Sequence, residues 1–194
     1  MFRITAIAAL LVVATGSIAQ ADLVETTAKR IHIVDADSGL VLLSRGADEP
    51  FPPGSFAKLM TAEIVFHALE EGRLSPDTEF QVSEHAWRTG GAPSRTATMF
   101  AKVKSSVSVA DLLQGLTVQM ANDAAIVLAE GMKGSEEAFA QAMNERAKEL
   151  GLKNTHFVNP TGLPAQGHHV TARDMTALAM HLWRPLERAL YPLL

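Results

Sequence analysis

The 194-residue chain contains no cysteine. That excludes a disulfide framework and every cysteine-based zinc site. Its seven histidines are dispersed. The adjacent His168 and His169 cannot share a helix face, so no metal-ligand set is readable, and no metal or cofactor is expected. Basic residues number 17 against 21 acids, a formal charge of −4 spread along the chain. This excludes the basic footprint that nucleic-acid binding needs. Beyond the first residues no segment approaches the run of about 18 apolar residues that spans a bilayer, so the mature chain is expected to have no membrane span. What remains is the balance of a folded globular protein, 47% apolar and 20% charged. The length suits one domain, with or without two lobes.

The first segment stands apart. "MFRITAIAALLVVATGSIAQAD" places Arg3 before an apolar run from Ile4 to Val13, then small residues ending in Ala19-Gln20-Ala21. This order reads as a signal peptide over residues 1–21, with cleavage leaving Asp22 as the terminus of a domain over 22–194. A membrane anchor is the competing reading, but the apolar run is short for one. The expected location is therefore outside the cytoplasm, in the periplasm or cell envelope. The lack of cysteine is compatible with an oxidising compartment without requiring one.

"RIHIVDADSGLVLLSRGADEPF" reads as two strands about a turn, with Ile31, Ile33, Val41 and Leu43 apolar and Asp35 to Gly39 carrying the turn. Pro52, Pro53 and Gly54 stop the extended chain, and a helix is expected from Ser55 to Glu71, closed by Gly72. It is apolar on nearly all sides and so should be buried. Residues 73–107 hold many turn formers and little helical periodicity, and "RTGGAPSRTATM" within them reads as a mobile surface loop. Helices follow from Ser108 with Asp111, from Asn122, from Ser135 to Gly151, and from Thr171 with Asp174 to the region of Pro185. One hairpin followed by several helices is an α+β pattern short of strands.

Within "PPGSFAKLMT", Ser55 and Lys58 lie three residues apart, on one face of the expected buried helix. Eleven serines and seven lysines predict roughly 0.4 such spacings by chance, so the pair alone is a weak signal. Two readings stay open from these residues. In one, Ser55 caps the helix and Lys58 snorkels to solvent. In the other, burial lowers the Lys58 pKa until the neutral amine takes the Ser55 proton, and Ser55 acts as a nucleophile at the positive helix end.

"PPGSFAKLMT", "SEHAWRTGG", "DLLQGLTVQMANDAAIVLAEGM", "LGLKNTHFVNPTGLP" and "TARDMTALAMHL" follow one another in this order. From about Arg30 onward the chain resembles the serine D-alanyl-D-alanine carboxypeptidases, low-molecular-mass penicillin-binding proteins with the β-lactamase/transpeptidase-like fold. The resemblance implies a hydrolase of peptidoglycan synthesis, acting in the cell wall and on cell shape. Ser55 is then the nucleophile that releases D-alanine and holds an acyl-enzyme, Lys58 its base, and Asn122 the substrate clamp. The partners implied are a peptidoglycan stem peptide and β-lactams as covalent inhibitors.

Two departures are expected to matter. In the family's second motif, S-x-N, Asn122 matches but the serine position holds Met120, which has no proton to relay; Thr117 or a water are candidates to take over. The third motif, K-T-G, does not appear; "RTG" at Arg88 to Gly90 belongs to the W-R-T-G-G stretch instead. The chain stops at Leu194, before the three later strands the resemblance implies, so a truncated product or fragment is expected, with a marginal two-stranded sheet and a central helix missing one cover. Two other functions stay in play. One is a catalytically silent homologue that binds peptidoglycan. The other is a β-lactamase-type hydrolase, for which no deacylating glutamate is evident. His168 and His169 are expected to be solvent-exposed, "NPTGLP" (Asn159 to Pro164) to be a structural turn more than a substrate contact, and Trp87 and Trp183 to be core or rim aromatics.

Overall fold

The structure is a computed structural model that describes residues 26–185. The expected signal peptide, residues 1–21, lies outside the described residues. Strands β1 (Ile31–Val34) and β2 (Val41–Arg45) form an antiparallel hairpin in which Ile31 faces Arg45 and Ile33 faces Leu43. The turn forms for the expected reason: Asp35 Oδ1 accepts the Ser38 N–H at 2.8 Å, and Gly39 takes the left-handed conformation there.

A 3₁₀ turn, Gly54–Phe56, leads directly into helix α1 (Ala57–Glu70). Ser55 therefore sits in that turn and is not the helix cap; α1 starts with no side-chain cap at all. The helix runs through the centre of the protein. Ala57, Met60, Val65 and Ala68 are fully or almost fully buried, so it remains covered even though the hairpin is small. It ends as its sequence predicts, with Gly72 left-handed and the Arg73 N–H donating back to Ala68 O at 2.9 Å.

Residues 73–107 hold more regular structure than their turn formers suggest, and the expected 88–99 loop is interrupted by the end of a helix and a 3₁₀ turn. Strand β3 (Glu79–Gln81) pairs antiparallel with β4 (Ser106–Ser108), and helix α2 (Glu84–Thr89) and a 3₁₀ turn (Ala92–Ser94) lie between them. Ser83 caps α2 by accepting the Ala86 N–H at 2.9 Å. These elements are only three to six residues long, too short for an apolar period to show.

Helices α3 (Val109–Val118), α4 (Asn122–Lys133), α5 (Glu136–Glu149) and α6 (Ala172–Pro185) complete the chain. Ser108 and Ser135 cap α3 and α5, and Thr171 Oγ1 accepts the Asp174 N–H at the start of α6. Leu112, Leu113 and Leu116 of α3, Ile126 and Leu128 of α4, and Phe139 and Met143 of α5 close on α1 to form the core. Gly131 in α4 admits the Phe80 ring of β3, because a Cβ there would lie 2.2 Å from the ring. None of the described helices is long and apolar enough to cross a membrane.

The hairpin side is less filled. An apolar groove of about 880 Å³ runs between β1, the start of α1 and α6, lined by Ile33, Phe51, Phe56, Leu59, Met175 and Trp183 among others.

Candidate active site

Ser55 is exposed in the middle of its 3₁₀ turn, whereas Lys58 is only 4% exposed. Helical spacing brings Lys58 Nζ to 3.5 Å from Ser55 Oγ. The same Nζ donates to Thr161 O at 2.6 Å, across 103 residues of sequence. Burial pulls the Lys58 pKa down from 10.5 to about 8, so roughly a tenth of the side chains are neutral at pH 7. A lysine that stays partly neutral, held at one hydrogen by a carbonyl, has a lone pair available for a nearby hydroxyl proton. The snorkelling reading of Lys58 is excluded by its burial.

Thr161 belongs to the Asn159–Pro164 turn, which is structural as expected but serves this site. Asn159 Oδ1 accepts from Thr161 N, Thr161 Oγ1 and Gly162 N, and Asn159 Nδ2 donates to Leu163 O at 2.9 Å. The turn is pinned to α1 a second time by Thr61, whose hydroxyl donates to Pro160 O at 2.7 Å. Gly162, left-handed at φ +83°, lies directly against Gly54 of the serine turn; a Cβ on it would fall 1.6 Å from Gly54 O. Two glycines thus let the turns of Ser55 and Thr161 touch backbone to backbone.

Asn122 opens α4 as its first residue rather than its cap. Its Nδ2 donates to Thr96 Oγ1 at 2.9 Å; among the described residues no hydrogen bond joins it to Ser55 or Lys58. Its neighbour Asp123, fully buried, was not singled out in the sequence. The Asp123 carboxylate accepts from Thr98 Oγ1, Met99 N and Ala101 N, so it ties the 96–101 loop to the start of α4. Gly90 of the "RTG" stretch packs on the same place, where a Cβ would lie 2.4 Å from Asp123 N.

His168 corrects an expectation. It is 6% exposed, stacked edge-on against Phe157 at 6.0 Å, with neither ring nitrogen hydrogen-bonded among the described residues. The backbone of His169 pairs with His156 in an antiparallel bridge, and the neighbouring His168 lies among the buried residues. Burial lowers its pKa to about 4. His169 is half-buried, its Nδ1 against Gly167 O at 2.7 Å.

Comparison with known proteins decides the family. The D-alanyl-D-alanine carboxypeptidase family, peptidase S11, matches residues 15–191. The chain belongs to it. This S11 chain is 42% identical over 151 residues to the D-alanyl-D-alanine carboxypeptidase DacC of Escherichia coli, and 38% identical over 155 residues to DacF of Bacillus subtilis. These alignments cover 77% and 80% of the chain but 38% and 39% of the relatives, so it spans about two fifths of their length. In the solved structures, penicillin binding protein 5 of Haemophilus influenzae superposes with a TM-score of 0.79 at 34% identity, over 84% of this chain and 47% of that one. The α+β architecture expected from the sequence is therefore the fold of the penicillin-binding proteins.

Against the S11 resemblance, Met120 stands where a serine is implied. It is 38% exposed and left-handed at φ +53°. Thr117 does not replace the missing hydroxyl, because it donates its proton to Leu113 O at 2.7 Å along its own helix.

Proposed function

We propose that this chain is the serine-reactive portion of an exported D-alanyl-D-alanine carboxypeptidase of the cell envelope. Ser55 Oγ attacks the carbonyl of a terminal D-Ala-D-Ala peptide bond while Lys58 takes its proton. The C–N bond breaks, the departing D-alanine nitrogen takes up a proton, and an ester on Ser55 remains for water to hydrolyse. Asn122 holds the peptide amide of the substrate. A β-lactam acylates the same oxygen. The observation that carries this reading is the 3.5 Å approach of an exposed serine hydroxyl to a buried lysine whose pKa burial pulls down from 10.5 to about 8. The signal-peptide pattern of residues 1–21 supports export.

A second reading is favoured by Met120: a homologue that binds peptidoglycan peptides and turns them over slowly or not at all. Incubation of the folded protein with a fluorescent penicillin separates the two. The carboxypeptidase reading predicts a covalent adduct that Ser55→Ala abolishes. No adduct on folded protein sinks it, and rapid release of opened β-lactam shifts the assignment to a β-lactamase-type hydrolase.

A further inference from the structure

Between α2 and α4 a chain of hydrogen bonds has its proton directions fixed. Ser94 Oγ donates to Gly91 O at 2.7 Å. A hydroxyl has one proton, so toward Thr96 Oγ1, 2.7 Å away, Ser94 only accepts; it accepts the Thr96 N–H as well, at 3.2 Å. Thr96 thus gives its own proton to Ser94, and its Oγ1 is left to accept from Asn122 Nδ2 at 2.9 Å. The order is Asn122 to Thr96 to Ser94 to Gly91, and it does not run in reverse.

An asparagine amide has two orientations that exchange its oxygen and nitrogen. With the amide turned over, Oδ1 would face Thr96 Oγ1 with no hydrogen between them. The chain therefore selects one orientation at a side chain that is 6% exposed. That orientation leaves Oδ1, which makes no hydrogen bond among the described residues, and the second Nδ2 hydrogen. Together they complement the N–H and C=O of a peptide amide. The same proton count excludes Thr96 as a relay replacing the hydroxyl missing at Met120, since its proton is already given to Ser94.

We propose that Thr96, backed by Ser94, is a positioning residue that sets the orientation of the Asn122 amide for a peptide-like ligand. The role in binding rests on the carboxypeptidase reading, while the orientation itself does not. Thr96 is exposed, so Thr96→Val removes one hydroxyl, with its bond to Ser94 as well as to Asn122, without disturbing the core.

In the full chain, the Asn122 side-chain amide signals, observed by nitrogen-15 NMR, report the orientation. Thr96→Val should remove the exchange protection of the bonded amide hydrogen, Thr96→Ser should retain it, and Ser94→Ala should weaken it. With fluorescent penicillin as probe, Thr96→Val should lower the acylation rate about tenfold, as loss of one hydrogen bond to a buried polar group does, and Thr96→Ser should restore it to within about twofold. Amide signals unchanged by Thr96→Val, or not rescued by serine, overturn the proposal. A wild-type chain that shows the amide signature but takes no penicillin defeats the carboxypeptidase reading and leaves the positioning role standing.

Discussion

At the corner built around Ser55 and Lys58 the left-handed backbone positions are glycines, Gly54 and Gly162; at the corner built around Asn122 they are Arg95, Phe100 and Met120. Both corners lie at the start of a buried helix, α1 in one and α4 in the other. The first is relaxed, and its glycines let two turns meet so closely that a carbonyl reaches Lys58 Nζ. The second carries side chains where glycine or asparagine is favoured, at about 1 kcal/mol per residue. Its strain is held by Asp123, whose carboxylate gathers three donors from the 96–101 loop. The corner that matches its family motif is built without strain, and the corner that departs from it at Met120 is the strained one.

The largest effect expected from breaking this contrast is at Gly162. Gly162→Ala adds a Cβ onto Gly54 O and should cost about 3 kcal/mol in urea unfolding, while Gly54→Ala, with open space around its Cβ, should cost about 1 kcal/mol. Equal losses would show that the two turns do not touch. A tenfold gain is expected at the second corner: Met120→Ser supplies the absent hydroxyl and should raise the penicillin acylation rate by about that factor. An unchanged rate would show that the missing proton donor does not limit acylation.

Acid should loosen the first corner selectively. His168 sits in the segment that carries Thr161, and its folded pKa of about 4 lies below the usual 6.5. The unfolded chain therefore binds the proton first, so the stability from neutral His168 is complete above about pH 6.5 and is lost as pH falls toward 4. Melting temperatures at pH 7 and pH 5 should differ less in His168→Gln than in the wild type. The smallest effect is Met120→Asn, which tolerates the left-handed conformation and should stabilise by about 0.5 kcal/mol in the same urea assay.

The first corner was largely legible in the sequence. Ser55 and Lys58 are neighbours by helix periodicity, and the burial of their helix follows from its apolar residues, whereas the sequence leaves Lys58 itself open between burial and snorkelling. The capping pairs Ser108–Asp111 and Thr171–Asp174, and Ser135 at the head of α5, carry their information within a few residues and form as their sequence implies. The Lys58–Thr161 contact was not legible, because it joins positions 103 residues apart. Nor were β3, α2 and β4, each too short to display a period. The role of Asp123 is not legible either, because its partners lie in a loop that no local pattern assigns to it. The burial of His168 is not legible, because it follows from the bridge between its neighbour His169 and His156, a pairing across the turn that no local pattern shows.

The central claim is that an interior amine beside Ser55 is neutral often enough to act as a base. Carbon-13 labelling of the lysine side chains and a pH titration of the Lys58 Cε signal test it directly. The structure predicts a midpoint of about 8. A midpoint at the ordinary lysine value of 10.5 in the folded protein would contradict it.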